Sequence, residues 1–181
     1  MNPSDLGRSE VAWIGLGANM GRREAALTRL RAELARTPLT LEAASRELVT
    51  RAVGVRAQPD FLNQVVRVAS AAPLSPAEWL ARCDRAALAA GRRPTYRWGP
   101  RRADADVLLM GGRGEVRSDD PEVHVPHPEL AHRPFLCALL AELDPTLTHP
   151  DGWRLAERAG IFLESHPAAA PAGYMGRRSA S

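Results

Sequence analysis

The four residues Ser75-Pro76-Ala77-Glu78 constrain this chain's fold more than any other stretch of it. A serine able to accept from the third helical N–H, a glutamate three residues on that reaches back, and proline at the first helical position define a helix start. Trp79, Cys83, Ala86 and Ala90 then line one face, and Gly91 offers a left-handed stop. A β-like segment, Phe61 to Ala69, precedes this helix. An arginine-rich loop and a strand, Asp104 to Met110, follow it.

The N-terminal half repeats the alternation. An apolar run from Val11 to Leu16 gives way to Gly15, Gly17 and Gly21, after which Leu27, Leu30 and Leu34 recur at helical spacing. Leu39 to Thr50 reads as one β-like segment, and with Phe61 to Ala69 it predicts an antiparallel pair. The resulting order, βαββαβ, predicts an α+β fold with a ferredoxin-like core and an antiparallel sheet. Additional C-terminal elements follow: a turn at Gly111 and Gly112, an apolar helix around Phe135 to Leu143, and an amphipathic stretch from Trp153 to Ala159. Residues 1–10 read as an extension, 11–160 as the domain and 167–181, rich in Ala, Pro, Gly and Arg, as a disordered tail.

All 24 basic residues are arginine, because the sequence has no lysine. Schiff-base catalysis and a P-loop both need lysine at their centre, so neither can be built here. Cys83 and Cys137 lack metal-ligand or redox spacing and read as buried small hydrophobes. A net charge of +3 does not demand nucleic acid as a partner. No apolar run is long enough to span a bilayer, and the polar start MNPSDLGRSE has no signal-peptide core, so a cytoplasmic protein without a membrane partner is expected. A monomer is expected over an oligomer.

The richest chemistry lies between Arg97 and Leu109. Residues two apart on a strand share a face, so Asp104 and Asp106 present their carboxylates side by side. Such a pair suits hard Mg²⁺, which completes its shell with water and nucleotide phosphates. Arg92, Arg93, Arg97, Arg101 and Arg102 come just before it, and guanidinium groups favour bidentate phosphate contacts. Taken alone, the two acids also fit a solvated, charge-balanced turn beside an edge strand.

The segment Arg97-Trp98-Gly99-Pro100-Arg101 followed by Asp104-Ala105-Asp106 resembles the signature of the 6-hydroxymethyl-7,8-dihydropterin pyrophosphokinase family. Three further motifs match in order: Gly15-Leu16-Gly17-Ala18-Asn19-Met20-Gly21, Gln58-Pro59-Asp60-Phe61-Leu62-Asn63, and Val125-Pro126-His127-Pro128 with Arg133 and Phe135 beyond. The resemblance implies transfer of pyrophosphate from ATP to the pterin hydroxymethyl group, with AMP released, in folate biosynthesis. It implies Asp104 and Asp106 as ligands of two Mg²⁺ ions, and Phe61 and Phe135 as a sandwich for the pterin ring. Asn63 would orient the ring, with Thr50 and Val53 lining the same pocket. Arg92, Trp98 and Arg101 match the loop that closes over both substrates, Trp98 on the pterin side. Arg97, Val107, His127 and Arg133 match nucleotide contacts.

The match has departures. Arg51 stands where the family's TxPxG segment has proline, Ala87 stands where a glutamate often precedes the Gly91-Arg92 pair, and the loop from Gly91 to Trp98 is one residue short. A degenerate, non-catalytic relative therefore stays open. Two other classes are weighed against the resemblance. The glycines after the first strand suggest a dinucleotide-binding oxidoreductase, but at the wrong spacing. An RNA-binding module shares the βαββαβ order, yet aromatics are only 5% and no strand carries its stacking pattern. His124 and His132 read as surface or capping groups.

Overall fold

The computed structural model describes residues 8–52, 58–93, 99–120 and 122–170. Strand β1 (Ser9–Ala18) turns through Gly21, whose φ of 69° is left-handed, into helix α1 (Arg23–Leu34). Strands β2 (Leu39–Ala44), β3 (Leu48–Thr50) and β4 (Phe61–Leu74) follow, then α2 (Pro76–Ala89) and β5 (Asp104–Met110). The capping box forms as read: Ser75 Oγ accepts from Glu78 N, and Glu78 Oε2 accepts from Ser75 N at 2.8 Å. At the other end Gly91 takes φ 100° just past the helix.

The sheet runs β2-β4-β1-β5, and every neighbouring pair is antiparallel. That excludes the parallel βαβ sheet of a dinucleotide-binding fold. The single segment expected from Leu39 to Thr50 is two strands, laid one after the other along the same edge of β4. Ser45 causes the break. Its N–H donates to Val65 O at 2.9 Å, while its side-chain oxygen accepts from Val65 N at 3.0 Å, so the side chain takes a place that a backbone carbonyl would hold in a regular ladder.

Alternation along the strands divides the core in two. Ile14 and Leu16 of β1, Val66 and Val68 of β4, and Ala105 and Val107 of β5 pack under α1 and α2. Trp13, Val65 and Leu108 face the opposite side, where α3 (Pro134–Leu143) and α4 (Leu155–Ser165) cover part of the sheet with Leu136, Leu139, Leu140 and Leu155. A small hairpin, β6 (Ser118–Asp120) and β7 (Val123–Val125), leads into a 3₁₀ turn, Leu130–His132, ahead of α3. Of the expected stretch Trp153 to Ala159, Leu155 to Ala159 open helix α4, which continues to Ser165, while Trp153 and Arg154 precede it. Residues 167–170, assigned to a tail on composition, include a 3₁₀ turn, Pro167–Ala169, whose Ala169 carbonyl accepts from the Arg46 guanidinium. No helix among the described residues is long and apolar enough to cross a membrane.

Candidate active site

Glycine in the middle strand opens the site. Gly17 of β1 pairs with Asn63 of β4 on one side and Asp104 of β5 on the other, so these three residues form one row on one face of the sheet. Neighbouring strands lie about 5 Å apart, which sets the backbones of Asn63 and Asp104 roughly 10 Å apart. A Cβ on Gly17 would stand 3.6 Å from Asn63 Oδ1 and 3.9 Å from the Phe61 ring, so its absence keeps the floor between them low. Asp106 pairs with Gly15 in the next row, placing both carboxylates on the face expected from their spacing.

The two acids differ in partners. Asp104, only 8% exposed, has Oδ2 bonded to the Arg101 guanidinium. Its Oδ1 is buried with no hydrogen-bond partner, 3.6 Å from Arg92 Nη1. Burial first, and then the neighbouring Asp104 carboxylate, pushes Asp106 up to about 6, against the pull of Arg101, Arg133 and Arg92. A buried carboxylate oxygen that accepts no hydrogen bond, beside a second carboxylate that is reluctant to ionise, is a donor set suited to a hard divalent cation. Among the described residues no group of three or more His, Cys, Asp or Glu is placed to hold a metal ion, so the two aspartates are the carboxylates available to one here.

The arginines are tethered on both flanks. Arg101 N donates to Asn19 Oδ1 at 2.8 Å, and Asn19 N returns a bond to Arg101 O at 3.0 Å. Asn19, 1% exposed, also donates through Nδ2 to Gln58 Oε1 at 3.0 Å and Pro59 O at 3.3 Å. One side chain therefore ties the end of β1 to the segment before Phe61 and to the arginine beside Asp104. Arg92 N donates to Ala87 O at 2.8 Å, and its side chain to Asp84 Oδ1 at 3.0 Å.

On the β4 side, Asn63 Nδ2 donates to Thr50 Oγ1 at 2.8 Å and to Leu48 O at 3.3 Å, which fixes its amide. Phe61, half-buried, is two residues away on the same face. Phe135, in the first turn of α3, packs against the cluster of Trp13, Val65 and Leu108 on that face too. The two rings make no ring contact with each other among the described residues.

His127 is hung on the edge of β5 by its N–H, which donates to Leu108 O at 2.9 Å. Burial and then Arg133 lower its pKa, so the ring is neutral at pH 7. Its Nδ1 accepts from Glu129 N at 3.1 Å, which leaves the proton on Nε2. Arg133 is 44% exposed and is the residue from which α3 starts.

One expected contact changes character. Val107 is 5% exposed and lies in the core beneath α1 and α2, because alternation turns it away from Asp104 and Asp106. Any nucleotide contact it makes runs through its backbone. Val53, Arg97 and Trp98 lie outside the described residues. Neither Asn19 nor Asp84 is among the site residues expected above, although Asn19 lies within the glycine-rich motif and Asp84 is one turn from Ala87 on α2. Burial raises both Cys83 and Cys137, the latter to about 11, so neither thiol is a nucleophile at neutral pH.

Fold and site together define an α+β protein that holds a carboxylate pair flanked by arginines, with Asn63 and Phe61 on the same face of an antiparallel sheet. The family profile described as 7,8-dihydro-6-hydroxymethylpterin-pyrophosphokinase (HPPK) matches residues 13–145. The 2-amino-4-hydroxy-6-hydroxymethyldihydropteridine pyrophosphokinase of Bacillus subtilis is 35% identical over 136 residues, covering 75% of this chain and 78% of the relative. That of Aquifex aeolicus is 33% identical over 140 residues, covering 77% and 84%. A crystal structure of an HPPK-DHPS in complex with substrates superposes with a TM-score of 0.65 at 10% identity; the alignment covers 89% of this chain and 44% of that one, so this chain spans less than half of it. The chain belongs to the 7,8-dihydro-6-hydroxymethylpterin-pyrophosphokinase family.

Proposed function

We propose that the protein transfers the β,γ-diphosphate of ATP to the hydroxymethyl group of 6-hydroxymethyl-7,8-dihydropterin, releasing AMP. The observation that carries this reading is the row Asn63–Gly17–Asp104: a group suited to orient a flat heterocycle and a group suited to a metal–phosphate complex share one face, with backbones roughly 10 Å apart and only the side-chain-free Gly17 between them in the sheet. Phe61 and Phe135 hold the pterin and Asn63 orients it from its Thr50 tether, and the family resemblance assigns Val53 and Trp98 to pterin binding as well. Asp104 and Asp106 would hold two Mg²⁺ ions, which would supply charge neutralisation on the ATP phosphates. Arg92, Arg97, Arg101 and Arg133 stabilise the transferred group and its leaving partner, and the Nε2–H of His127 donates to a phosphate oxygen. The hydroxymethyl oxygen attacks the β-phosphorus in line and releases its proton to water, the bond to the oxygen bridging the α-phosphate breaks, and AMP departs. Positioning and electrostatics carry the rate.

The finer fold assignment belongs to the same reading: strand order β2-β4-β1-β5 with α1 and α2 on one face supports a ferredoxin-like core. A monomer acting in the cytoplasm on these small molecules, with no nucleic-acid or membrane partner, is part of the proposal. The test is product chemistry. Incubated with Mg·ATP and the pterin, the protein should yield AMP and a pterin diphosphate in equal amounts. ADP would mark an ordinary kinase, and no pterin-dependent nucleotide would mark a binding protein.

A further inference from the structure

Arg92 has two carboxylates within reach, and it bonds the one farther from the proposed chemistry. Its Nη1 donates to Asp84 Oδ1 at 3.0 Å and stays 3.6 Å from Asp104 Oδ1, beyond hydrogen-bond distance. Its backbone N–H is fixed to Ala87 O at 2.8 Å, so both ends of Arg92 are held by the last turns of α2. Arg101 occupies the other oxygen of Asp104. If Arg92 were free to close the remaining gap, Asp104 would be paired on both oxygens; instead Oδ1 has no hydrogen-bond partner although it is buried.

We propose that Asp84 is a positioning residue that holds Arg92 off Asp104, keeping one carboxylate oxygen open and the guanidinium directed at the phosphates. This inference rests on the function proposed above. Asp84 acts through Arg92 and touches no reacting atom. Its side chain is 51% exposed and that of Arg92 34%, so the pair contributes little to folding. Its effect should appear in turnover rather than in stability.

Four variants decide the matter: Asp84→Ala, Asp84→Glu, Arg92→Ala and the double Asp84→Ala/Arg92→Ala, each assayed for kcat, pterin KM and melting temperature. Asp84→Ala should lower kcat about five-fold, the scale of one partly exposed charged contact, with pterin KM and melting temperature unchanged. Asp84→Glu should recover most of that loss. In the Arg92→Ala background, removing Asp84 should have no further effect, because its only route to the chemistry is gone. An unchanged kcat in Asp84→Ala, or the same five-fold loss with Arg92 already absent, overturns the inference while leaving the proposed function standing. If the wild type makes no pterin-dependent AMP, the proposed function fails separately. Calorimetric binding of Mg·α,β-methylene-ATP then reads the coupling: Asp84→Ala should weaken it several-fold only when Arg92 is present, and equal affinities would overturn the inference.

Discussion

Asn19 and Arg101 exchange two hydrogen bonds, Arg101 N to Asn19 Oδ1 at 2.8 Å and Asn19 N to Arg101 O at 3.0 Å, across 82 residues of sequence. Because the same amide donates to Gln58 and Pro59, the loop that leads to Phe61 and the loop that carries Arg101 are set against one buried side chain. In the proposed reading, the pterin side and the phosphate side are thereby placed relative to each other by a residue that need touch neither substrate.

Asn19→Ala should therefore cost about 1–3 kcal/mol in urea denaturation, since it strips buried groups of their partners. It should also lower kcat/KM by about ten- to a hundred-fold through misplacement of Arg101. Asn19→Asp keeps the acceptor for Arg101 N and loses the donors to Gln58 and Pro59, so it should raise pterin KM more than it lowers kcat. Wild-type kinetics in Asn19→Ala would show that the two loops are placed by something else.

The Asn63 amide owes its orientation to Thr50 Oγ1 at 2.8 Å. Thr50→Val removes the acceptor at nearly constant shape and should weaken pterin binding about three- to ten-fold in a fluorescence titration, the scale of one hydrogen bond. Thr50→Ser should bind as wild type does. Equal affinity for Val and Ser variants would mean that Asn63 does not need the tether.

Asp106 makes stability depend on pH in a defined direction. A carboxyl raised to about 6 binds a proton more readily folded than unfolded, so its contribution to stability is fully present below about pH 4 and is lost as pH rises through about 6. Asp106→Asn removes this loss. The variant should be more stable than wild type at pH 7, by on the order of 2 kcal/mol in metal-free buffer, and the difference should shrink toward pH 4. Saturating Mg²⁺ should raise the stability of wild type at pH 7 more than that of the variant. A variant no more stable than wild type at pH 7 would contradict the burial and repulsion assigned to this group.

What could be read from the sequence was what is decided locally. The capping box Ser75–Glu78 needs four consecutive residues, and the shared face of Asp104 and Asp106 needs only a two-residue period. Both are present as expected. The break at Ser45 could not be read, because it is made with Val65, a partner on another strand. The same holds for Asn19, whose partners are 39, 40 and 82 residues away, and for Ala169, whose carbonyl is held by Arg46. Val107 was legible in principle: the alternation that puts Asp104 and Asp106 on the site face sends the residue after them into the core.

Isotope transfer separates attack at the β-phosphorus, on the face that carries Asp104, from attack at the γ-phosphorus. Two reactions are run with the purified chain, Mg²⁺ and 6-hydroxymethyl-7,8-dihydropterin, one with ATP labelled at the β-phosphate and one with ATP labelled at the γ-phosphate. Both labels should reach the pterin product equally, and Asp104→Asn, which removes a carboxylate charge without disturbing core packing, should abolish transfer of both while the chain stays folded. Transfer of the γ label alone, transfer of neither, or undiminished transfer by Asp104→Asn would contradict attack at the β-phosphorus on that face.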